Sequence, residues 1–236
     1  MPLSLRFATP ADGPALAAIY LSAFQDSPVA TNCFPPSSPA CREFLAASFA
    51  DEIGNPRFRW LVVVAADAAG SEGAAAAPPV ACAKWVLPAR DGEDNVEPTP
   101  PKDIWPEEGD PEFADYFFGT LARKHAEIMG DVRHYYLELI MCRREHQGKG
   151  AATPLMRWGC ARADEDGRPA FLESMAAAKP VYEKYGFRTV DREDLEAPGG
   201  AVVPQFFMLR EAKAAAGEAG KHVGQAGQVG RDVLGR

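Results

Sequence analysis

The chain has little that would commit it to a metal, a membrane or a nucleic acid. Its four histidines, at 125, 134, 146 and 222, make no H-x-x-x-H spacing, so no metal site is expected. Five cysteines, at 33, 41, 82, 142 and 160, are an odd number without a C-x-x-C pair, which speaks against both a disulfide scaffold and a zinc ribbon. They read as thiols. No apolar run approaches the ~18 residues of a membrane helix, and the first residues hold no basic segment leading into an apolar stretch. The expectation is a cytoplasmic protein with no membrane partner. Positive charge is also short: a net charge of −8 argues against a nucleic-acid partner, which would call for a basic stripe. Neither a Walker spacing nor G-x-G-x-x-G occurs, and no internal repeat is visible.

What the chain does have is apolar residues in periodic order. At 236 residues, 47% hydrophobic, it can bury a sizeable core; it is long for one domain and short for two. One domain is expected over 1–212, as a monomer or homodimer, with 88–111 an acidic, proline-rich insertion lacking periodic structure. The stretch 213–236 reads as a low-complexity tail with too few apolar residues to pack. Strands are expected at 3–8, 57–66, 79–87, 134–142, 169–174, 187–192 and 202–210. Helices are expected at 11–24, 38–53, 113–129, 150–166 and 177–185, and 67–78 as a hairpin loop. The first helix opens on a capping signature, Thr9-Pro10-Ala11-Asp12. The fold class is therefore α/β (α+β).

Gln147-Gly148-Lys149-Gly150-Ala151-Ala152 lies between the strand at 134–142 and the helix after it. Glycines there admit positive φ and let the backbone approach a ligand, while the unpaired N–H groups of a helix start favour an anion such as a nucleotide pyrophosphate. Lys149 could add a point charge. Taken alone, an ordinary strand-to-helix turn explains the stretch equally well. The same strand carries Glu138, an acid in an apolar run. Burying a carboxylate without a partner costs several kcal/mol, so it must reach a cleft, pair with a cation or shift its pKa. Strict alternation sets Tyr136, Glu138, Ile140 and Cys142 on one face and Tyr135, Leu137, Leu139 and Met141 on the other, unless a bulge changes the parity. Glu138 can then be a base or a structural acid paired with Arg6 or Arg133.

Gln-x-x-Gly-x-Ala at 147–152, followed about 30 residues later by Val181-Tyr182-Glu183-Lys184-Tyr185-Gly186-Phe187, resembles the two signature motifs of the GNAT superfamily of acetyl-CoA-dependent N-acetyltransferases. The likeness extends more faintly over Arg6 to Arg210, and from Tyr135 to Asp191 it is most similar to filamentous-fungal members. It implies the GNAT fold, a mixed, mostly antiparallel, twisted sheet of about seven strands flanked by helices. It implies acetyl-CoA as co-substrate, no metal, and a primary amine of a small molecule as acceptor, attacked directly in a ternary complex. Backbone groups of Ile140, Met141 and Cys142 would meet pantetheine and the oxyanion, and residues 147–152 the pyrophosphate. Ser174 and Tyr185 complete the cofactor set, Tyr185 chiefly by packing. Tyr182 stands where the family carries its general acid, and Glu138 is placed, nine residues before Gln147, like the base proposed in spermidine/spermine acetyltransferases.

Some residues depart from the family's commoner pattern. Arg143-Arg144-Glu145 replaces a residue and proline before the glycine loop, Ala152 stands for a frequent glycine, and Thr153-Pro154 lies in the first helical turn, where proline is tolerated. Cys142 and His146, four residues apart across the turn, give no triad logic. Ten acids and one lysine between Asp91 and Asp115 would favour a cationic acceptor, or are simply solvated loop charge. A non-catalytic acyl-CoA-binding protein, or an enzyme acting on a peptide or protein amine, stays open on the same fold.

Overall fold

A computed structural model describes residues 3–65, 78–96 and 101–213. The expected hairpin loop and tail fall almost wholly outside these residues. After β1 (Leu3–Phe7) the helix-start signature forms a short 3-10 turn. Asp12 accepts from the Thr9 N–H at 2.7 Å and from its hydroxyl at 3.1 Å, while Arg6 grips the same carboxylate at 2.7 and 2.8 Å. Arg6 therefore serves Asp12 rather than Glu138, and its hydrogen bonds hold the Asp12 carboxyl down at about 2. Helix α1 (Gly13–Ala23) then crosses α3 (Pro39–Ile53) closely, since a Cβ on Gly13 would stand 2.5 Å from the Ala46 carbonyl oxygen.

Between them lies α2 (Pro28–Cys33), which the pattern does not predict. Six residues are too few to display helical periodicity, and only the proline after Ser27 marks its start. Strands β2 (Phe58–Ala65) and β3 (Pro79–Val86) follow, the latter buried at every position. The acidic insertion departs from its expected character. Residues 102–104 form a 3-10 turn, and Trp105 stacks on Phe118 at 5.1 Å, with its ring also near Phe34 and Phe44. An apolar anchor thus docks a segment that its charge marks as solvated.

The remaining elements are α4 (Pro111–Met129), β4 (Tyr135–Cys142), α5 (Ala152–Glu165), β5 (Ala170–Met175), α6 (Lys179–Glu183), β6 (Arg188–Ala197) and β7 (Ala201–Arg210). Helix α6 is shorter than expected and β6 longer, because β6 and β7 continue as a hairpin to the turn at Gly199 and Gly200. The seven strands form one sheet in the order β1-β2-β3-β4-β5-β7-β6, antiparallel except where β4 meets β5. One face carries Leu16, Ile19, Phe49, Trp60, Phe117 and Met141 against α1–α4. The other packs Trp85, Leu137 and Leu172 on Leu155 and Met156 of α5. There Gly159 makes room for the Trp85 ring, 2.1 Å from where its Cβ would be, and the indole N–H donates to the Leu155 carbonyl at 3.2 Å.

Candidate active site

Strands β4 and β5 pair only from Tyr135↔Ala170 to Leu137↔Leu172 and then part. Past that point β4 keeps its partner β3 on one side while its other edge is released, so backbone groups along 138–142 are open to a ligand. The fork has a local cause. On the β3 side Lys84 pairs with Leu139 and Trp85 with Leu137, so Glu138 is an extra residue, a bulge at the branching point. The bulge reverses the expected parity. Ile140 and Cys142 share the α5 face with Tyr135 and Leu137, whereas Leu139 and Met141 face α1.

The chain beyond β4 is tied back before it turns. The Arg143 N–H bonds the Val80 carbonyl at 2.9 Å, the Gln147 amide donates to the Cys142 carbonyl at 3.2 Å, and Arg144 reaches Asp26 at 2.6 Å. Gly148 and Gly150 then adopt φ of 72° and 84°, with nothing within 4 Å of a Cβ built on either. Lys149 is exposed between them, and Ala151 is buried at the start of α5. Open space in front of left-handed glycines and a fourteen-residue helix start is a cradle that a pyrophosphate fits.

Across the fork, Tyr182 is 7% exposed on α6, its ring 6.3 Å from that of Phe187. Burial pushes its phenol well above the ordinary value, so it stays protonated at neutral pH and can donate. Tyr182 shares the α5-face cluster with Ile140, Cys142 and Tyr185. Ser174 is buried and its hydroxyl donates to the Met175 carbonyl at 2.8 Å.

The opposite face holds the acids. Glu138 pairs with Lys84 at 2.8 Å rather than with Arg6 or Arg133, and Arg133 instead meets Asp91. Glu173, the first residue of β5 past the fork, was not singled out by its sequence. The signal was present, because Glu173 in AFLESM is as anomalous an acid as Glu138 in YYLELIM. The residue is half-buried, but its Oε1 is shut from solvent without a hydrogen-bond partner. Burial pushes its carboxyl up to about 8, Tyr136 opposes this by hydrogen bonding, and Glu138 adds to it by repulsion. Gln205 on β7 likewise has a buried Nε2 with no partner. Among the described residues, no group of three or more His, Cys, Asp or Glu is placed to hold a metal ion. No described helix is long and apolar enough to cross a membrane.

A seven-stranded, mostly antiparallel sheet split between parallel β4 and β5, with a glycine turn feeding the next helix, is the GNAT acetyltransferase fold. Residues 104–204 match the model of the acetyltransferase (GNAT) domain. No curated protein matches the sequence. Among solved structures, histone acetyltransferase HPA2 and related acetyltransferase from Corynebacterium glutamicum superimposes with a TM-score of 0.57 at 18% identity, covering 92% of this chain and 99% of that one. The ribosomal-protein-S18-alanine N-acetyltransferase of Escherichia coli gives 0.51 at 14% identity, covering 94% and 100%. A PaiA N-acetyltransferase from Thermoplasma acidophilum, solved in complex with coenzyme A, gives 0.50 at 12%, covering 89% and 99%. At such identities the likeness is one of fold.

Proposed function

We propose that the protein is an N-acetyltransferase that moves an acetyl group from acetyl-CoA to a primary amine of a small molecule, by direct attack in a ternary complex. The observation that carries this reading is the fork: released β4 backbone beside a glycine cradle, with a protonated phenol on one face of the sheet and carboxylates on the other. Acetyl-CoA supplies the activated acyl group as a thioester. Residues 147–152 hold its pyrophosphate through backbone N–H groups, and Ile140, Met141 and Cys142 offer main-chain partners to the pantetheine arm, with Ser174 and Tyr185 lining it. A main-chain N–H around Met141 and Cys142 stabilises the oxyanion. Tyr182 gives its proton to the departing thiolate. The acceptor's ammonium must lose a proton before it attacks, and the Glu138–Glu173 pair past the fork receives it.

Thiol release from acetyl-CoA against an amine panel tests this reading. Tyr182→Phe is expected to lower kcat by ~10²-fold or more with little change in acetyl-CoA affinity. Tight acetyl-CoA binding with no turnover on any amine, peptide or protein lysine would identify a non-catalytic acyl-CoA-binding protein instead. A Tyr182→Phe protein with full kcat would make that residue a packing group.

A further inference from the structure

Lys84 lies in the middle of β3, 3% exposed, in a strand buried at every position. An ammonium there loses its water and must be repaid by the protein. Two carboxylates do so, Glu138 Oε1 at 2.8 Å and Glu52 Oε1 at 3.0 Å, and the Phe58 ring lies 4.1 Å from the nitrogen. Burial alone would push the Lys84 ammonium down, but the two acids hold it above its ordinary value. Buried ion pairs are often matched or bettered in stability by apolar residues of the same size, so stability is a weak reason for this arrangement. Location is a stronger one. Glu138 is the bulged residue, and β4 bulges opposite the Lys84–Trp85 step, where its pairing with β5 has just ended.

We propose that Lys84 is a positioning residue of the site: by fixing Glu138 in the bulge as an ion-paired carboxylate, it reserves Glu173 as the carboxylate that receives the acceptor's proton. The inference rests on the acetyl-transfer reading. Two free carboxylates past one fork would share a proton and neither would be a defined base. Lys84 breaks that equivalence, because its charge sits on Glu138 and leaves the Glu173 Oε1 unpartnered. Tyr136 and Glu138 from β4 act on Glu173 directly, and Lys84 from β3 acts through Glu138. Glu52 from α3 meets Lys84, and His125 from α4 lies against Tyr136 and Phe171. The step balances simply: the ammonium becomes a neutral amine and the Glu173 carboxylate a carboxylic acid.

The test is a titration of the full chain carrying carboxyl-13C glutamate, with the Glu173 resonance assigned through Glu173→Gln and the pH profile of kcat/KM measured in parallel. In the wild type Glu173 is expected to titrate near 8, with the acid limb of kcat/KM following it. Lys84→Met should move both upward by about one pH unit, because a cation that opposed the local negative charge is gone. Glu138→Gln should move the Glu173 titration the other way, and Lys84→Arg should restore it. Opposite shifts from two changes at one ion pair are not what a merely structural contact would give. Should Lys84→Met fail to fold, Glu138→Gln and Lys84→Arg still decide the matter. A Glu173 titration that ignores both substitutions, or a resonance near 8 belonging to Glu138, overturns the proposal. No turnover in the wild type on any amine would sink the acetyl-transfer reading, whereas the resonance shifts report the hold of Lys84 on Glu173 without it.

Discussion

Gly150 holds φ at 84° with open space where a side chain would be. A left-handed conformation costs an L-residue roughly 1–2 kcal/mol, more for a β-branched one, and the space is what a phosphate would use. Gly150→Val is therefore expected to leave the domain folded and weaken CoA binding by at least about tenfold in calorimetric titration. An unchanged affinity in a folded variant would move the cradle elsewhere. The same scale shows how residue type and residue role come apart. Glu138 was legible as an anomalous acid, yet its partner, Lys84, comes from β3 and no local spacing announces it. Glu173 carried an equal signal and acquired its distinction only from the fork, which no strand pattern contains.

At the level of elements, α4 is locked to the entry of β4 by two imidazoles. His125 Nε2 and His134 Nε2 lie 2.6 Å apart, His134 Nδ1 is 2.6 Å from the Val132 carbonyl, and the His125 ring stacks on Phe171 at 4.5 Å. The carbonyl requires a proton on His134 Nδ1, so His134 Nε2 accepts and His125 Nε2–H donates. Another proton on His134 would set two donors face to face. Burial, with each ring's charged neighbours, pushes His125 down to about 2 and His134 to about 4. These pKa values are depressed, so between about 4 and 6.5 the unfolded chain binds protons that the folded chain refuses, and stability is lost as pH falls through that window. The loss should be on the order of 6 kcal/mol by pH 4, about half from each imidazole, read as a falling Tm, and His125→Phe should roughly halve it. A Tm indifferent to pH between 6.5 and 4 would refute the pairing.

The whole molecule is acidic, with a net charge of −8, and much of that charge lies in the segment between β3 and α4. Part of it is engaged, as Glu93 meets Arg57 at 3.9 Å and Asp110 caps α4 by accepting from the Phe113 N–H at 2.9 Å. Trp105, docked among Phe34, Phe44 and Phe118, lies on the α2–α4 side of the sheet. For a cationic, polyamine-like acceptor, neutralising Glu93, Asp94, Glu107 and Glu108 together should raise KM several-fold while leaving acetyl-CoA binding alone. Added salt should mimic this, since exposed charges are screened over about 8 Å at physiological ionic strength. A best substrate that is neutral or aromatic, with KM indifferent to both changes, would assign recognition to the apolar walls of the first helices and leave the charge as solvated surface.

By itself the sequence determined the order of the elements and, α2 apart, which helices and strands form, because periodicity, capping residues and glycine turns act over a few neighbouring positions. The resemblance to the GNAT motifs was legible in the same way, since both motifs are contiguous stretches. Tertiary structure alone decided the rest. A bulge is a difference in count between two strands distant in the chain, so the reversed parity of β4 could not be seen in β4. The fork depends on where β5 stops following β4, and the division of Glu138 and Glu173 into paired and unpaired acids depends on a lysine 54 positions upstream of Glu138. Those are long-range facts, set by which surfaces the core brings into contact.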